Sequence, residues 1–454
     1  MNDNDPHSPY PHNPTSHMKH ITLSLLLLAS LAATAQTADS AATPVRTGWT
    51  FGLLPSLSYD ADLGLRYGAL TNVYYFGDGS TYPNYLHSLY AEATYATGRS
   101  GLFRLSYDSR HLIPRHRVSV DLTYMPDALC DFYGFNGFAQ PYYANWTDQE
   151  SPEYRTRVFY KMRRDLFRMS ADLQGALRGA WQWNAGMGLL NYRVGSVDID
   201  RINRRAKPEN RLPDTLTLYD YYTSVYDGLI QDNEAHGGTH PYLHAGVTYD
   251  TRDRLQNPRH GIHADAFLTY TAAFGSQAEY NHLGLNAAWR HYVPLGSDRL
   301  TLAYRVGTQL LLAGRSPFYL NTYLNQLYMQ RALYEGLGGA NSLRGVMRNR
   351  LLGDGFVYAN MELRWQVVRF KIRRENFYLG VNPFVDYGRL VQKRKPYNGG
   401  AVPGVWNDPH FSAGCGLKVA MNENFVVSVD WAHALSKQDN GKFSNLYINI
   451  GYMF

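Results

Sequence analysis

The residues of this chain that could do chemistry are charged rather than nucleophilic. Ser, His and Asp are all present, but in no recognisable nucleophile–base arrangement, so an enzyme is not expected. His236 and His240 stand four apart in a polar stretch. A metal needs more ligands and a helix or hairpin to hold them, so the reading is a solvated loop and no metal site. No cofactor is expected either. Two further features carry charge in a pattern. Arg344 sits in Gly338-Gly339-Ala340-Asn341-Ser342-Leu343-Arg344-Gly345, and two acids, Glu362 and Asp386, follow in segments of alternating polarity. Taken alone, an arginine between loop glycines is an exposed loop residue, and acids on the polar side of a strand face water.

The elements that position these acids are strands. In 357–369, Val357, Ala359, Met361, Leu363, Trp365 and Val367 alternate with Asn360, Glu362, Arg364 and Gln366. In 377–388, Phe377, Leu379, Val381, Val385 and Tyr387 alternate with Asn382, Asp386 and Gly388. In 242–252, Leu243, Ala245, Val247 and Tyr249 oppose His244, Thr248, Asp250 and Arg252. A soluble core would not bury so many charges; a wet lumen inside a lipid-facing wall would hold them. The final segment alternates too. Leu446, Ile448, Ile450, Tyr452 and Phe454 share one face, which predicts an outward-facing strand running to the last residue. Ile450, Tyr452 and Phe454 match the C-terminal signal by which bacterial barrels are recognised for assembly.

Counting such runs predicts an all-β, transmembrane antiparallel β-barrel of about 16 strands. They fall near 49–59, 63–77, 85–98, 101–111, 116–125, 153–171, 178–195, 241–252, 260–274, 278–294, 298–313, 355–370, 376–391, 409–421, 424–436 and 443–454. Short turns at 254–259, 294–298 and 421–424 are placed on the periplasmic side. The long stretches 126–152, 196–240 and 314–354 are placed at the cell surface. Sixteen strands enclose more space than wall side chains can fill. The stretch 314–354 is far longer than a hairpin needs and can reach deep into the pore.

Composition agrees. The chain holds 37 tyrosines, 40 glycines and 8 tryptophans, as a barrel with aromatic girdles and a polar lumen requires. Residues 1–17 read as disordered or as a start-site artefact. Met18 opens a signal peptide over 18–35, with an apolar core at 21–31 and Ala33-Thr34-Ala35 as the cleavage site. A short periplasmic segment, 36–48, then leads into the barrel, 49–454. The cysteines Cys130 and Cys415 exclude a disulfide framework, and Cys415 is expected to face lipid. The formal charge of +6 points to anionic lipid headgroups, including lipopolysaccharide, and not to nucleic acid. Lys393-Arg394-Lys395 reads as a surface cluster, either meeting lipopolysaccharide phosphates or simply solvated.

The segment 338–345 resembles the Arg-Gly motif of the BamA/TamA family, the bacterial surface antigen barrels. Three further segments agree in order. Tyr249-Asp250-Thr251-Arg252-Asp253 with Asn257-Pro258-Arg259-His260-Gly261 resembles the turn that opens the family's C-terminal half. Asn360-Met361-Glu362-Leu363-Arg364 resembles the strand after the motif loop, and Phe384-Val385-Asp386-Tyr387-Gly388 the strand after that. Over 49–240 the resemblance rests on strand count and on Phe132-Tyr133-Gly134-Phe135-Asn136-Gly137. It implies a sixteen-strand barrel whose sixth surface loop enters the lumen. It also implies an arginine, here Arg344, bound to wall acids, here Asp386 and, by its inward position, Glu362. Gly338, Gly339, Ser342, Leu343 and Gly345 would shape the loop tip.

Two departures stand out. Val346 replaces the family's usual aromatic, which implies a looser tip. Only 36–48 precede the first strand, too little for a periplasmic POTRA domain. The implied role is assembly, insertion or translocation of outer-membrane proteins, with separate periplasmic or barrel-assembly subunits as candidate partners. The alternative is a plugged transport or structural barrel without assembly activity. Pro55 and Gly52, in the first strand, suit a weak seam with the last.

Overall fold

The structure is a computed structural model. It describes residues 45–454 except 83, 205, 226–228, 256, 325–333, 374, 395–404, 423–424 and 442–444. The assignments of 1–17, 18–35 and, within 36–48, of 36–44 lie outside the described residues, as does Lys395.

Residues 46–454 form one unit, a closed antiparallel barrel. Its strands are β1 (Trp49–Asp60), β2 (Gly64–Tyr75), β3 (His87–Ala96), β4 (Gly101–Ile113), β5 (His116–Asp131), β6 (Lys161–Ala176), β7 (Trp181–Gly195) and β8 (Gly237–Asp250). They continue as β9 (Gly261–Thr271), β10 (His282–Pro294), β11 (Leu300–Gly314), β12 (Gly355–Ile372), β13 (Glu375–Gln392), β14 (His410–Met421), β15 (Phe425–Ala434) and β16 (Leu446–Ile450). Each strand pairs with its sequence neighbours, and β16 closes onto β1.

The alternation is clear in the strands that carry the acids. On β12 and β13, Met361, Trp365, Leu379 and Val385 are exposed on the outer face. Asn360, Glu362, Asn382 and Asp386 are buried on the inner face. Register pins this arrangement, because Asn360 opposes Asp386 and a one-residue slip would turn every acid outward. Cys415 is exposed on the outer face, as expected.

Connections are short at one rim and long at the other. At the long rim, described residues of the stretches 132–160, 196–236 and 315–354 pack together as a cap around Phe132, Phe135, Tyr219, Tyr222, Phe318 and Tyr319. The rings meet mostly edge to face, as at Phe132–Tyr222 (5.2 Å, 88°). The cap explains why β6 begins at Lys161 and not near 153. Phe159 and Tyr160 are drawn into this aromatic core, so the chain before them cannot lie in the wall.

Two expectations are corrected. The last strand ends at Ile450, not at Phe454. Gly451 takes φ +96°, which breaks the ladder and turns the final residues inward. Arg394 is not a surface residue. It is buried and grips Glu234 with two hydrogen bonds of 2.7 and 3.0 Å from one nitrogen, while Lys393 is exposed. That pair, with Arg394 also 3.4 Å from Asp354, ties the segment after β13 to two stretches of the cap.

Candidate functional site

The loop after β11 descends inside the barrel and brings Arg344 to the wall. Its guanidinium meets Asp386 with Nε donating to Oδ2 and Nη2 to Oδ1, both at 2.9 Å, a planar two-point contact. Nη1 donates to Glu362 Oε1 at 2.6 Å. The Arg344 backbone N–H adds a bond to Asp386 Oδ2 at 3.1 Å. The flat face of the cation lies over the Phe384 ring. Burial works against the charge on Arg344, but Asp386 and Glu362 more than offset it and hold the guanidinium pKa above its ordinary value. The expected trio of Arg344, Glu362 and Asp386 is therefore assembled, and all three are almost fully buried.

The tip is shaped by the expected residues. Gly338, Gly339 and Gly345 have φ of +117°, +90° and +84°, a region side chains resist. Ser342 Oγ accepts from the Gly338 N–H at 2.9 Å, and Asn360 Nδ2 donates to the Ser342 carbonyl at 2.8 Å. Leu343 occupies the space over Gly388; a β-carbon there would lie 2.5 Å from Leu343 Cδ1. Val346 is fully buried against Leu337, Leu343, Leu351, Phe356 and Leu390. The tip is thus packed, contrary to the looseness implied by losing the aromatic.

Two anchors were not foreseen. Arg348 pairs with Asp127 on β5 and lies 3.6 Å from Asp131. Arg350 reaches Asp439, beyond β15, at 3.3 Å and donates to the carbonyls of Gly137 and Gln140. Three arginines within seven residues thus hold the loop to three parts of the wall and cap. Their partners lie far off in sequence, so no local pattern marks them.

The inward-turned tail forms a second contact zone. Ile450 is half exposed on the outer face, but Tyr452 and Phe454 lie inside. Arg364 donates from Nη2 to the Phe454 carbonyl at 2.7 Å and lies 4.2 Å from the Tyr452 ring centre. Tyr452 Oη meets Tyr378 Oη at 3.2 Å. Beside the tail runs the seam. Only Tyr59 and Asp60 of β1 pair with β16, whereas all twelve residues of β1 pair with β2. Residues 49–58, including Pro55, therefore have no strand partner on the seam side among the described residues. Phe51 and Leu53 are among the most exposed apolar side chains there.

His240 lies on β8, where it meets Tyr319 Oη at 2.7 Å; no metal-binding group occurs among the described residues. The model of the Omp85 superfamily domain matches residues 87–454. The chain belongs to the Omp85 superfamily. β-Barrels of this superfamily reside in the outer membrane. Among solved structures, BamA from Haemophilus ducreyi lacking POTRA domains 1–3 is similar at 15% identity and a TM-score of 0.53. That match covers 96% of this chain and 78% of the other. CdiB from Escherichia coli is similar at 11% identity and a TM-score of 0.54, over 90% of this chain and 63% of the other. At these identities the likeness is one of fold. No curated protein matches the sequence. The Omp85 match begins at β3 and includes both the latch and the segment 132–137, where the sequence resemblance is thinner. In this Omp85 barrel, that segment is the floor of the cap. Asn136, at φ +68°, exchanges two hydrogen bonds with the Arg394 backbone.

Proposed function

We propose that this Omp85 barrel assembles, inserts or translocates outer-membrane proteins by opening between β1 and β16. The short seam supports this most directly. A ladder of two residue pairs is far weaker than its neighbours, and residues 49–58 offer backbone donors and acceptors to an incoming strand. Pro55 keeps the edge from pairing fully. A signal peptide at 18–35 directs export and is cleaved off. The long-loop rim faces the cell surface and lipopolysaccharide, and separate periplasmic or barrel-assembly subunits supply recruitment. The chain carries out no catalysis.

The test places cysteines at Tyr59 and Ile448, which are register partners, with Cys130 and Cys415 replaced by serine. Oxidation should abolish insertion of a model outer-membrane protein into vesicles containing the barrel, and reduction should restore it. Full activity of the locked barrel would refute the proposal.

A plugged transport barrel is the second reading, favoured by the three arginines that anchor the loop inside the barrel and to its cap. Planar-bilayer recording separates the two readings. A plugged transporter conducts poorly until the loop is freed, and it is indifferent to the seam lock.

A further inference from the structure

The lumen latch and the C-terminal tail share a carboxylate. Glu362 Oε1 accepts from Arg344 Nη1 at 2.6 Å, and its Oε2 accepts from Arg364 Nε at 2.9 Å. Arg364 in turn holds the Phe454 carbonyl and lies beside the rings of Tyr452 and Phe454. An unbroken chain of charged hydrogen bonds thus runs from Asp386 through Arg344, Glu362 and Arg364 to the tail. A second bridge runs alongside. Arg305 donates to the Asn341 carbonyl of the loop tip at 3.0 Å and sits 5.1 Å from the Phe454 ring centre. A third contact ties the tip to β16 itself, where the Gly345 N–H donates to Tyr447 Oη at 3.0 Å.

We propose that Glu362, Arg364 and Arg305 are positioning residues that couple the lumen loop to the seam, so that withdrawing the loop releases the tail and frees β16. This rests on the seam reading above and supplies its regulation. The physical basis is shared ordering. Glu362 is oriented by Arg344, and that orientation aims the Arg364 fork at Phe454. Arg305 is held to the wall by Nε and Nη2 donating to Asn360 Oδ1 at 2.9 and 2.7 Å, and it bridges to the Asn341 carbonyl only while the tip is docked. With the loop out, Arg364 loses its fixed direction, Arg305 loses its link to the tip, and the tail must pay the ordering entropy alone. Loop withdrawal takes the Arg344 cation away from Glu362 and Asp386, and from Asp430 at 3.9 Å.

The coupling is reciprocal, which makes it measurable without an assembly assay. In the full chain lacking native cysteines, one cysteine at Met453 reports the tail and another at Ala340 reports the tip, each by its rate of maleimide labelling. Arg344→Ala should speed labelling at 453, and Arg364→Gln should speed labelling at 340, each by about 5-fold or more. Combining both variants should add little beyond either alone. Glu362→Gln should speed both. Should Arg344→Ala fail to fold, Arg344→Lys, which keeps the charge and loses the fork, is read the same way. Unchanged labelling at 453 when the tip is freed would overturn the coupling and leave the seam reading standing. A seam-locked barrel that keeps full activity, with labelling still coupled, would do the reverse.

Discussion

The guanidinium carbon of Arg344 lies 3.4 Å from the centre of the Phe384 ring, two residues before the Asp386 carboxylate that grips its edge. One strand therefore supplies both the face and the rim of the socket. Replacing Arg344 by alanine strands the buried Asp386 carboxylate and leaves Glu362 to Arg364 alone, at a cost of about 3–5 kcal/mol. Urea unfolding of the detergent-solubilised barrel, followed by tryptophan fluorescence, should show that loss. Arg344→Lys should fall between, since an ammonium cannot span both Asp386 oxygens.

Phe384→Leu keeps the carboxylates and removes only the ring face. The expected loss is about 0.5–2 kcal/mol by the same unfolding measurement. In an Arg344→Ala background it should shrink sharply, because the cation it acts on is gone. An unchanged loss would mean that Phe384 serves as packing alone.

Gly345 is pressed against the wall. A β-carbon there would lie 2.9 Å from the His433 nitrogen, at φ +84°. Gly345→Ala should cost about 1–3 kcal/mol and lift the tip off β15. Limited proteolysis within 315–354 should quicken. Gly275→Ala is the control, with φ of +62° but nothing within 4 Å of the added carbon; cleavage in 315–354 should not change.

Arg394→Ala breaks the cap without touching the latch. It leaves Glu234 buried without its cation, again costing about 3–5 kcal/mol. Single-barrel recordings should show fluctuating conductance from the loosened cap, while labelling of a cysteine at Ala340 stays slow. Fast labelling there would mean that cap and latch form one unit.

The wall was legible in the sequence because lipid outside and water inside impose a period of two, which β13 follows and β12 follows as far as Gln366, where a register shift leaves Val367 and Val368 both exposed. Arg344 was legible only through its glycine setting and the strands that follow, since nothing local names its partners. Arg348 and Arg350 escaped notice because Asp127 and Asp439 lie far along the chain. Arg394 misled for the same reason. Beside Lys393 and Lys395 it reads as a solvated cluster, and only the fold reveals Glu234. The tail misled differently. Gly451 fits the alternation as a small inward residue, and its positive φ is a property of the backbone that polarity cannot report.

That turn at Gly451 sets an order of events. Tyr452 and Phe454 cannot lie against Arg364 and at the same time be presented to a factor outside the wall. A factor that gripped these two rings would have to do so on the nascent barrel and let go before closure, since the closed molecule keeps them against its inner wall.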